Sequence, residues 1–444
     1  MEAFLDKLRA GLSRMPVSIE EGHFVVAFSG GLDSTTLLAG LCRLIPPARL
    51  RAVHVDHALQ PESAGWERHC AAAAASLGVR YVSERVAIDV GAGDSIEALA
   101  RRARYRVFAQ LLRPAEVLVT AHHGDDQLET MLLRLLRGSG VSGLRGIVEF
   151  APFAGGYLAR PMLDLSRAEI RAQAEQWGLR WIEDPANREQ RFDRNYLRSE
   201  VIPALKRRWP AAERSMVRAA RHMADAEEIL EAMAEADARA LPAPGCVPRS
   251  AITRLDPPRQ RNLLRHLVRR CGLPVPDSRQ LEELRAALHV ERADARTRVQ
   301  WPGGEARVFR DRLYLLEPLR PAGDASPAGR LKPGAEWRGP AGRVVLELGE
   351  GTKGLPDSWV AEGLEIRFRS GGERFRPRRG GPSRRLKRWL QETGIVPWMR
   401  DRIPLLYHRG TLVAIGDLWL AEAPADLAGE RRWLVRWGRH PPLH

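Results

Sequence analysis

Cysteine is scarce in this chain. Cys42, Cys70, Cys246 and Cys271 are the only four in 444 residues, and no two form a CxxC pair. That spacing offers no ligand set for zinc, an iron–sulfur cluster or a redox dithiol, and it fits structural thiols in a reducing compartment. Long apolar runs are missing too: the run at 37–44 contains Arg43 and falls far short of the roughly 20 residues a membrane helix needs. Residues 1–14 read as a short amphipathic helix bearing Asp6 and Lys7, not as a signal peptide. The expectation is a soluble cytoplasmic protein with no membrane association. Acidic residues are outnumbered, with 55 Asp and Glu against 70 Lys and Arg, a formal charge of +15. Such a surplus points to a polyanionic partner, nucleic acid ahead of an anionic membrane. An Arg-rich proteome raises the charge in the same way, so composition leaves both readings open. At 44% hydrophobic residues, a chain of 444 fills two or three cores.

What the chain does have is a phosphate cradle without the usual lysine. Residues 24–28 are a short apolar run rich in β-formers, and 35–44 are apolar at helical spacing. Between them stands Ser29-Gly30-Gly31-Leu32-Asp33-Ser34. Adjacent glycines let backbone N–H groups turn toward an anion, and the helix N-terminus adds partial positive charge. No GxxxxGK[ST] lysine follows, which excludes a Walker loop. A strand–helix turn capped by Ser29 or Asp33 is the plain alternative. The full hexapeptide resembles the SGGxDS loop of the PP-loop ATP pyrophosphatases, which cleave ATP between the α and β phosphates and adenylate a carbonyl or amide.

Strand-like runs at 50–55, 79–86, 116–120 and, more weakly, 157–163 alternate with helical stretches at 62–77, 95–112 and 125–137. The alternation predicts an α/β fold, a doubly wound parallel sheet with ligands at the carboxyl ends of its strands. Ser166-Arg167-Ala168-Glu169 reads as a capping box opening a helix to Trp177. Beyond about 215 the strand signal fades. Helices are expected at 216–241 and 257–290, then a β-like stretch at 308–316, a linker over 320–341, and period-two alternation over 343–444. The expected division is a catalytic domain at 1–215, a mainly helical middle domain at 216–320, and a small α+β C-terminal domain at 343–444.

Three segments fall where such a sheet places a site. His54-Val55-Asp56-His57 closes the second strand, and Ala100-Arg101-Arg102-Ala103-Arg104-Tyr105 lies within the third helix. Thr120-Ala121-His122-His123-Gly124-Asp125-Asp126-Gln127-Leu128-Glu129-Thr130 closes the fourth strand and opens the next helix. On that helix Asp125 stacks on Glu129, and Asp126 on Thr130. Carboxylates beside a phosphate loop suit Mg²⁺ on a pyrophosphate or an incoming amine. Asp125 is equally an N-terminal capping residue, whereas Asp126 reads as functional. His122 and His123 lack HExxH spacing and a nearby cysteine, which argues against zinc. Arg101 and Arg104 share a helix face and could neutralise charge developing on phosphate.

Together these segments resemble the tRNA(Ile)-lysidine synthases over the whole chain. The order and approximate spacing match at Ser29 to Ser34, at His54 to Leu59, at 100–105 and at 120–140. The match continues at Arg160-Pro161, at Trp181-Ile182-Glu183-Asp184-Pro185 with Asn187, and at Arg194-Asn195 with Arg198, Glu200 and Pro203. Gly371-Gly372-Glu373-Arg374-Phe375-Arg376-Pro377 and residues 397–405 look like that family's terminal domain. The resemblance implies a ligase forming a carbon–nitrogen bond, with ATP and Mg²⁺ as cofactors. ATP adenylates C2 of the wobble cytidine in a CAU-anticodon tRNA(Ile). Free L-lysine then attacks through its ε-amine, leaving lysidine and changing decoding from AUG to AUA.

It further implies that Ser29, Gly30, Gly31, Leu32, Asp33, Ser34, His54, Asp56 and His123 bind the nucleotide, and that Asp33 and Asp126 lie near the metal or the amine. Asp33, Asp126, Arg101 and Arg104 would be catalytic. Asp33, Asp126 and Asp56 all remain candidates to take the amine's proton. Residues 367–388 hold ten Lys or Arg against Glu373 alone. With Phe375 and Trp389 interleaved, they suit phosphate tracking and RNA contact, with Arg374, Arg376, Arg384, Arg385, Lys387 and Arg388 binding tRNA alongside Arg194 and Asn195. Trp359, Trp419, Trp433 and Trp437 are expected in a core. No protein partner is implied, and a homodimer is compatible with the sequence. A tRNA thiolase would need paired cysteines, and a small-molecule amidotransferase would need a glutaminase domain. A non-catalytic RNA-binding protein would not need an intact loop and acid cluster.

Overall fold

The computed structural model describes residues 2–57, 63–87, 96–183, 193–243, 245–290, 297–319, 329–339, 342–349, 353–424, 427 and 429–444. Two compact units emerge, Met1–Ile229 and Leu230–His444, with the boundary inside the helix Ala212–Ala238.

The first unit runs α1 (Glu2–Ser13), β1 (Phe24–Ala27), α2 (Leu32–Leu44), β2 (Leu50–Asp56), α3 (Ser63–Ser76), β3 (Arg80–Arg85), α4 (Ile96–Leu111), β4 (Val117–Val119), α5 (Gly124–Leu136), β5 (Phe150–Phe153) and β6 (Gly156–Ala159). The strands form one sheet in the order β3-β2-β1-β4-β6-β5. All neighbours are parallel except the β5–β6 pair. Successive residues of β1 feed opposite cores. Phe24 and Val26 pack with Leu8, Leu12, Leu37 and Leu41, while Val25 packs with Val53, Leu118, Phe108 and Leu112. A strand buried on both faces must be apolar throughout, and this one is. Phe24 lies between Leu50 of β2 and Val117 of β4, so chain order reverses at β1. A doubly wound sheet opens its ligand crevice at such a point, outside the carboxyl ends of β1 and β4.

The expected fifth strand is realised as Gly156–Ala159 and stops before Pro161, which has no N–H to donate. Its hairpin partner Phe150–Phe153 escaped the sequence reading. The turn between them has Ala154 at φ 48° and Gly155 at φ 77°.

An ionic network ties α1 to the start of the helix Ala212–Ala238. Arg14 reaches Glu149 and Asp164 at 2.8 Å each, and Arg221 reaches the same two carboxylates. Burial works against ionised Asp164, but Arg221 and Arg14 hold its carboxyl below the usual range. A depressed carboxyl contributes stability above its unfolded pKa, and loses it as pH falls through the folded value. Asp164→Asn is therefore expected to lower the unfolding free energy read from urea melts at pH 7 by about 1 kcal/mol after solvent screening. Below about pH 4 the gap to wild type should close; a gap independent of pH would contradict this.

In the second unit, Pro257–Arg270 and Ser278–Ala287 pack on an antiparallel sheet of Cys246–Pro248, Arg312–Leu316, Gly304–Phe309 and Arg298–Trp301. The single helix expected over 257–290 is thus two. Gly272 at φ 71°, Pro274 and Pro276 break it, and Asp277 caps the second piece by accepting from Gln280 N–H. The middle segment consequently carries a sheet beside its helices. The expected linker also needs correction. Residues 320–328 and 340–341 lie outside the described residues, but Arg330–Leu331 and Glu336–Gly339 are strands of the terminal sheets. Those sheets hold five, four and two strands. Their core includes Tyr314 and Leu316 from the middle segment, and Tyr314 stacks edge-on against Trp398 at 5.1 Å. Trp437 is buried there, with Trp359, Trp419 and Trp433 partly buried around it.

A candidate active site between β1 and β4

The PP-loop closes on itself through its two hydroxyls. Ser29 N–H donates to Ser34 Oγ at 3.2 Å, the two Oγ atoms lie 3.1 Å apart, and Ser34 Oγ donates to Gly31 O at 3.2 Å. Gly30 adopts φ 77°, and a Cβ there would lie 2.6 Å from Cys70 Sγ and 2.9 Å from Ile182 Cδ1. Ile182 N–H donates to Gly30 O at 2.9 Å, so the Trp181-Ile182 segment runs along the loop; Asp184, Pro185 and Asn187 lie outside the described residues. The helix begins earlier than expected, at Leu32. Leu32 is buried in the core, which leaves only its backbone for a nucleotide. Ala58 and Leu59 also lie outside the described residues.

His54 is buried, and its Nδ1 bonds the Phe28 carbonyl at 3.0 Å, with Cys70 Sγ 3.6 Å away. The imidazole is committed to supporting the strand end beneath the loop. Asp56 is buried at the end of β2 with Arg85 Nε 3.4 Å away. Arg104 Nε donates to His57 Nε2 at 3.4 Å. Burial and then Arg104 push His57 down to about 4, so it remains a neutral acceptor.

Across the crevice, α5 starts at the end of β4. His123 is buried at its N-terminus among three carboxylates: its Nε2 lies 3.7 Å from Asp33 and 3.5 Å from Asp126, and its Nδ1 3.8 Å from Asp125. Burial alone would depress His123, but Asp126, Asp33 and Asp125 outweigh it and raise its pKa. His123 N–H donates to Asp126 Oδ2 at 3.0 Å. Burial opposes ionised Asp126; His123, His122 and Arg198 nevertheless hold it below the usual carboxylate range. His122 is the contrasting case, with Thr120 Oγ1 2.8 Å from its Nδ1 and burial pushing it down to about 4.

The sequence reading brought Asp33 and Asp126 to one site; it named Arg198 only as part of the family match, without tying it to the acids, and did not name Lys206. Arg198 Nε bonds Glu129 and its Nη2 bonds Asp126 at 3.1 Å. Lys206 bonds Asp125 and lies 3.4 Å from Glu213, while Arg167 N–H donates to Asp125 Oδ2 at 2.8 Å. Asp125 is therefore held from behind and turned toward His123. Glu129 follows Asp126 by three residues on one helix, a signal that was legible; Lys206 is 81 residues from Asp125, with no local signature. Arg194 is half-buried and its charge is felt at Glu129. Arg101 and Arg104 diverge from their shared helix, one toward Tyr105 and the other toward His57.

In the second unit Arg374, Arg376, Arg384, Arg385, Lys387 and Arg388 are all exposed. Arg374-Phe375 pairs with Arg384-Arg385 as a small hairpin. Phe375 is not available for stacking on RNA. It is 4% exposed, wedged edge-on between Trp389 at 5.1 Å and Trp419 at 4.8 Å.

Burial pushes the thiols of Cys42 and Cys271 up to about 11 and that of Cys70 to about 12, which keeps them protonated and unreactive. Among the described residues no helix is long and apolar enough to cross a membrane.

Three family models match the chain: a PP-loop domain over residues 5–205, a TilS substrate binding domain over 248–314, and a TilS substrate C-terminal domain over 364–437. Similar curated proteins span nearly its full length. The tRNA(Ile)-lysidine synthase of Methylococcus capsulatus is 39% identical over 450 residues, covering 98% of this chain and 100% of that protein. The one from Alkalilimnicola ehrlichii is 42% identical over 409 residues, 90% of each. That of Pseudomonas aeruginosa is 40% identical over 442 residues, 96% of this chain and 95% of its own. Identity of that extent, on a PP-loop built as described and followed by both TilS segments, places the chain in the tRNA(Ile)-lysidine synthase family.

Proposed function

We propose that this protein ligates L-lysine to C2 of the wobble cytidine of a CAU-anticodon tRNA(Ile), at the expense of ATP cleaved to AMP and pyrophosphate. The observation that carries the reading is the convergence of two features on one crevice: the PP-loop after β1, whose Asp33 shares His123 with Asp126, and the Asp126–Glu129 pair of α5 held by Arg198. One suits a triphosphate, the other a cationic amine.

Backbone N–H groups at Gly30 and Gly31 and the start of α2 cradle the phosphates of ATP. Arg104, aimed by His57, neutralises charge that builds as the cytidine C2 oxygen attacks the α-phosphate, and Arg101 on the same helix adds to it. Asp126 and Glu129, held by Arg198, take the lysine ammonium. That amine titrates near pH 10.4, so attack at neutral pH carries a deficit of roughly 4–5 kcal/mol. A carboxylate that binds the ammonium also raises its pKa, and therefore helps only by accepting the proton as the C–N bond forms. Whichever of Asp126 and Asp33 is not engaged by the metal is our candidate for that role. Asp56, engaged with Arg85 at the end of β2, serves the nucleotide side.

The residues present fit Mg²⁺. Asp33 Oδ1 is buried without a hydrogen-bond partner, and Asp33 and Asp126 both flank His123. Mg²⁺ ordinarily takes one or two protein carboxylates together with substrate phosphates. Asp33 and Asp126 would hold it, and when bound it supplies charge neutralisation on the pyrophosphate leaving group.

The exposed basic hairpin at 374–388 contacts the tRNA away from the anticodon, where an initiator tRNA(Met) sharing CAU can be told apart. Neutralising Arg384, Arg385 and Lys387 together is expected to weaken tRNA binding. It should also reduce the slope of log affinity against log salt by about 2, since Arg384 is already paired with Glu392. An unchanged slope would remove the segment from the interface. Cytoplasmic location and action as a monomer or homodimer belong to the same proposal. Its test is AMP and pyrophosphate formation that requires tRNA(Ile) bearing CAU. ATP left intact under conditions where that tRNA binds would rule the ligase reading out.

A further inference from the structure

The one acid of the basic segment 367–388 does not stand out in solvent with its cations. The Glu373 side chain is 9% exposed, and its Oε1 accepts from Ser370 N–H at 2.5 Å and from Gly371 N–H at 2.7 Å. Gly371 at φ 106° and Gly372 at φ 85° make the turn that brings these N–H groups round, which a side chain would strain. The carboxylate fills a backbone nest of the kind that binds anions. Its Oε2 lies 3.9 Å from Arg369 Nε, and Arg369 Nη1 bonds Asp401 at 3.1 Å. The Glu373 carbonyl accepts from Leu386 N–H at 2.9 Å, where the helix Leu386–Glu392 begins. Glu373 thus joins both ends of the hairpin: Arg374-Phe375 follows it directly, and Arg384-Arg385 directly precedes Leu386.

Half of the cations in this segment are already spent within the fold. Arg367 pairs with Glu365, Arg369 with Asp401, and Arg384 and Arg388 share Glu392. Arg374 bonds Ser383 through Nε at 3.1 Å and Nη2 at 3.0 Å. Among the described residues, the side chains of Arg376, Arg378, Arg379, Arg385 and Lys387 have no partner, and all five are exposed. The loop that carries three of them is fixed. Trp419 Nε1 donates to Pro377 O at 3.2 Å, and Arg379 N–H donates to Glu422 at 3.0 Å. Like charges on one hairpin repel, and they match the spacing of a polyanion only while its root and loop are held.

We propose that Glu373 is a positioning residue for tRNA: its carboxylate, set in the Ser370–Gly371 nest, fixes the root of the hairpin so that Arg376, Arg378, Arg379, Arg385 and Lys387 meet the RNA backbone together. The proposal rests on the ligase reading, and it adds Arg378 and Arg379 to the cations that face the RNA. A lone acid acting through its charge alone would oppose RNA, and removing it would tighten binding. The positioning role requires the opposite sign.

The experiment measures affinity for CAU-anticodon tRNA(Ile) over a range of salt, with kcat and KM for tRNA, in the wild type, Glu373→Ala and Glu373→Gln. Glu373→Ala should bind at least about tenfold more weakly and raise KM for tRNA by as much, with kcat within about twofold. Its slope of log affinity against log salt should be shallower by about 1, although the net charge of the protein has risen. Glu373→Gln keeps a neutral acceptor for both N–H groups and should lose only about two- to fourfold. Unchanged or tighter binding by Glu373→Ala overturns the proposal. So do equal losses in the two variants, which would place the effect in the charge and not in the turn. If Glu373→Ala fails to fold, the sign of the change in Glu373→Gln decides, and unchanged or tighter binding there overturns the proposal. A wild type that does not bind this tRNA would overturn the ligase reading and the proposal together, whereas the other contrary results leave that reading standing.

Discussion

Gly30→Ala is expected to lower kcat/KM for ATP by at least about 100-fold while the protein stays folded. The new Cβ would lie 2.6 Å from Cys70 Sγ and 2.9 Å from Ile182 Cδ1, on a backbone at φ 77°. The left-handed conformation costs an alanine about 1 kcal/mol, and overpacking adds about 1–3 kcal/mol. The chain relieves both by moving the loop, which displaces the N–H groups that cradle phosphate. Cys70→Ala in the same protein removes the nearest clashing atom and should restore part of the activity, since Ile182 and the backbone strain remain. Wild-type activity in the single variant would mean that the loop does not position the nucleotide.

The second large effect is expected at Asp33. Asp33→Asn keeps the shape and removes the charge, from a carboxylate whose Oδ1 is buried without a partner and whose Oδ2 lies 3.7 Å from His123. Turnover should fall by about 1,000-fold or more, whereas affinity for tRNA should change less than about twofold. Kinetics within tenfold of wild type would exclude Asp33 from both proposed roles, metal holding and proton acceptance.

The centre of the sheet was legible because β1 and β4 are buried on both faces. Runs such as Phe24-Val25-Val26-Ala27 have no polar alternative reading, and their alternation with helices leaves few topologies. The hairpin strand Phe150–Phe153 was not legible. It is half-exposed at the sheet edge and carries Pro152, so neither periodicity nor propensity marks it. The break at 271–277 was written in Gly272, Pro274 and Pro276, and the apolar spacing on either side concealed it.

At the site, the loop and the acids of α5 are local patterns, and they stood out. The cations that hold those acids come from far along the chain. Arg198 pairs with residues 69 and 72 positions away, and such pairs exist only once the fold has brought them together. Phe375 misled in the opposite direction. An aromatic among basic residues reads as an RNA platform, yet its neighbours Trp389 and Trp419 claim its ring for the core.

The most direct test of the central claim is to incubate the protein with CAU-anticodon tRNA(Ile), ATP, Mg²⁺ and isotopically labelled lysine, with tRNA(Met) in parallel. The RNA is then digested and its nucleosides weighed. Label on the wobble cytidine of the isoleucine tRNA alone is the result expected. AMP and pyrophosphate formed without lysine on the RNA would keep the PP-loop chemistry and contradict lysine as the nucleophile.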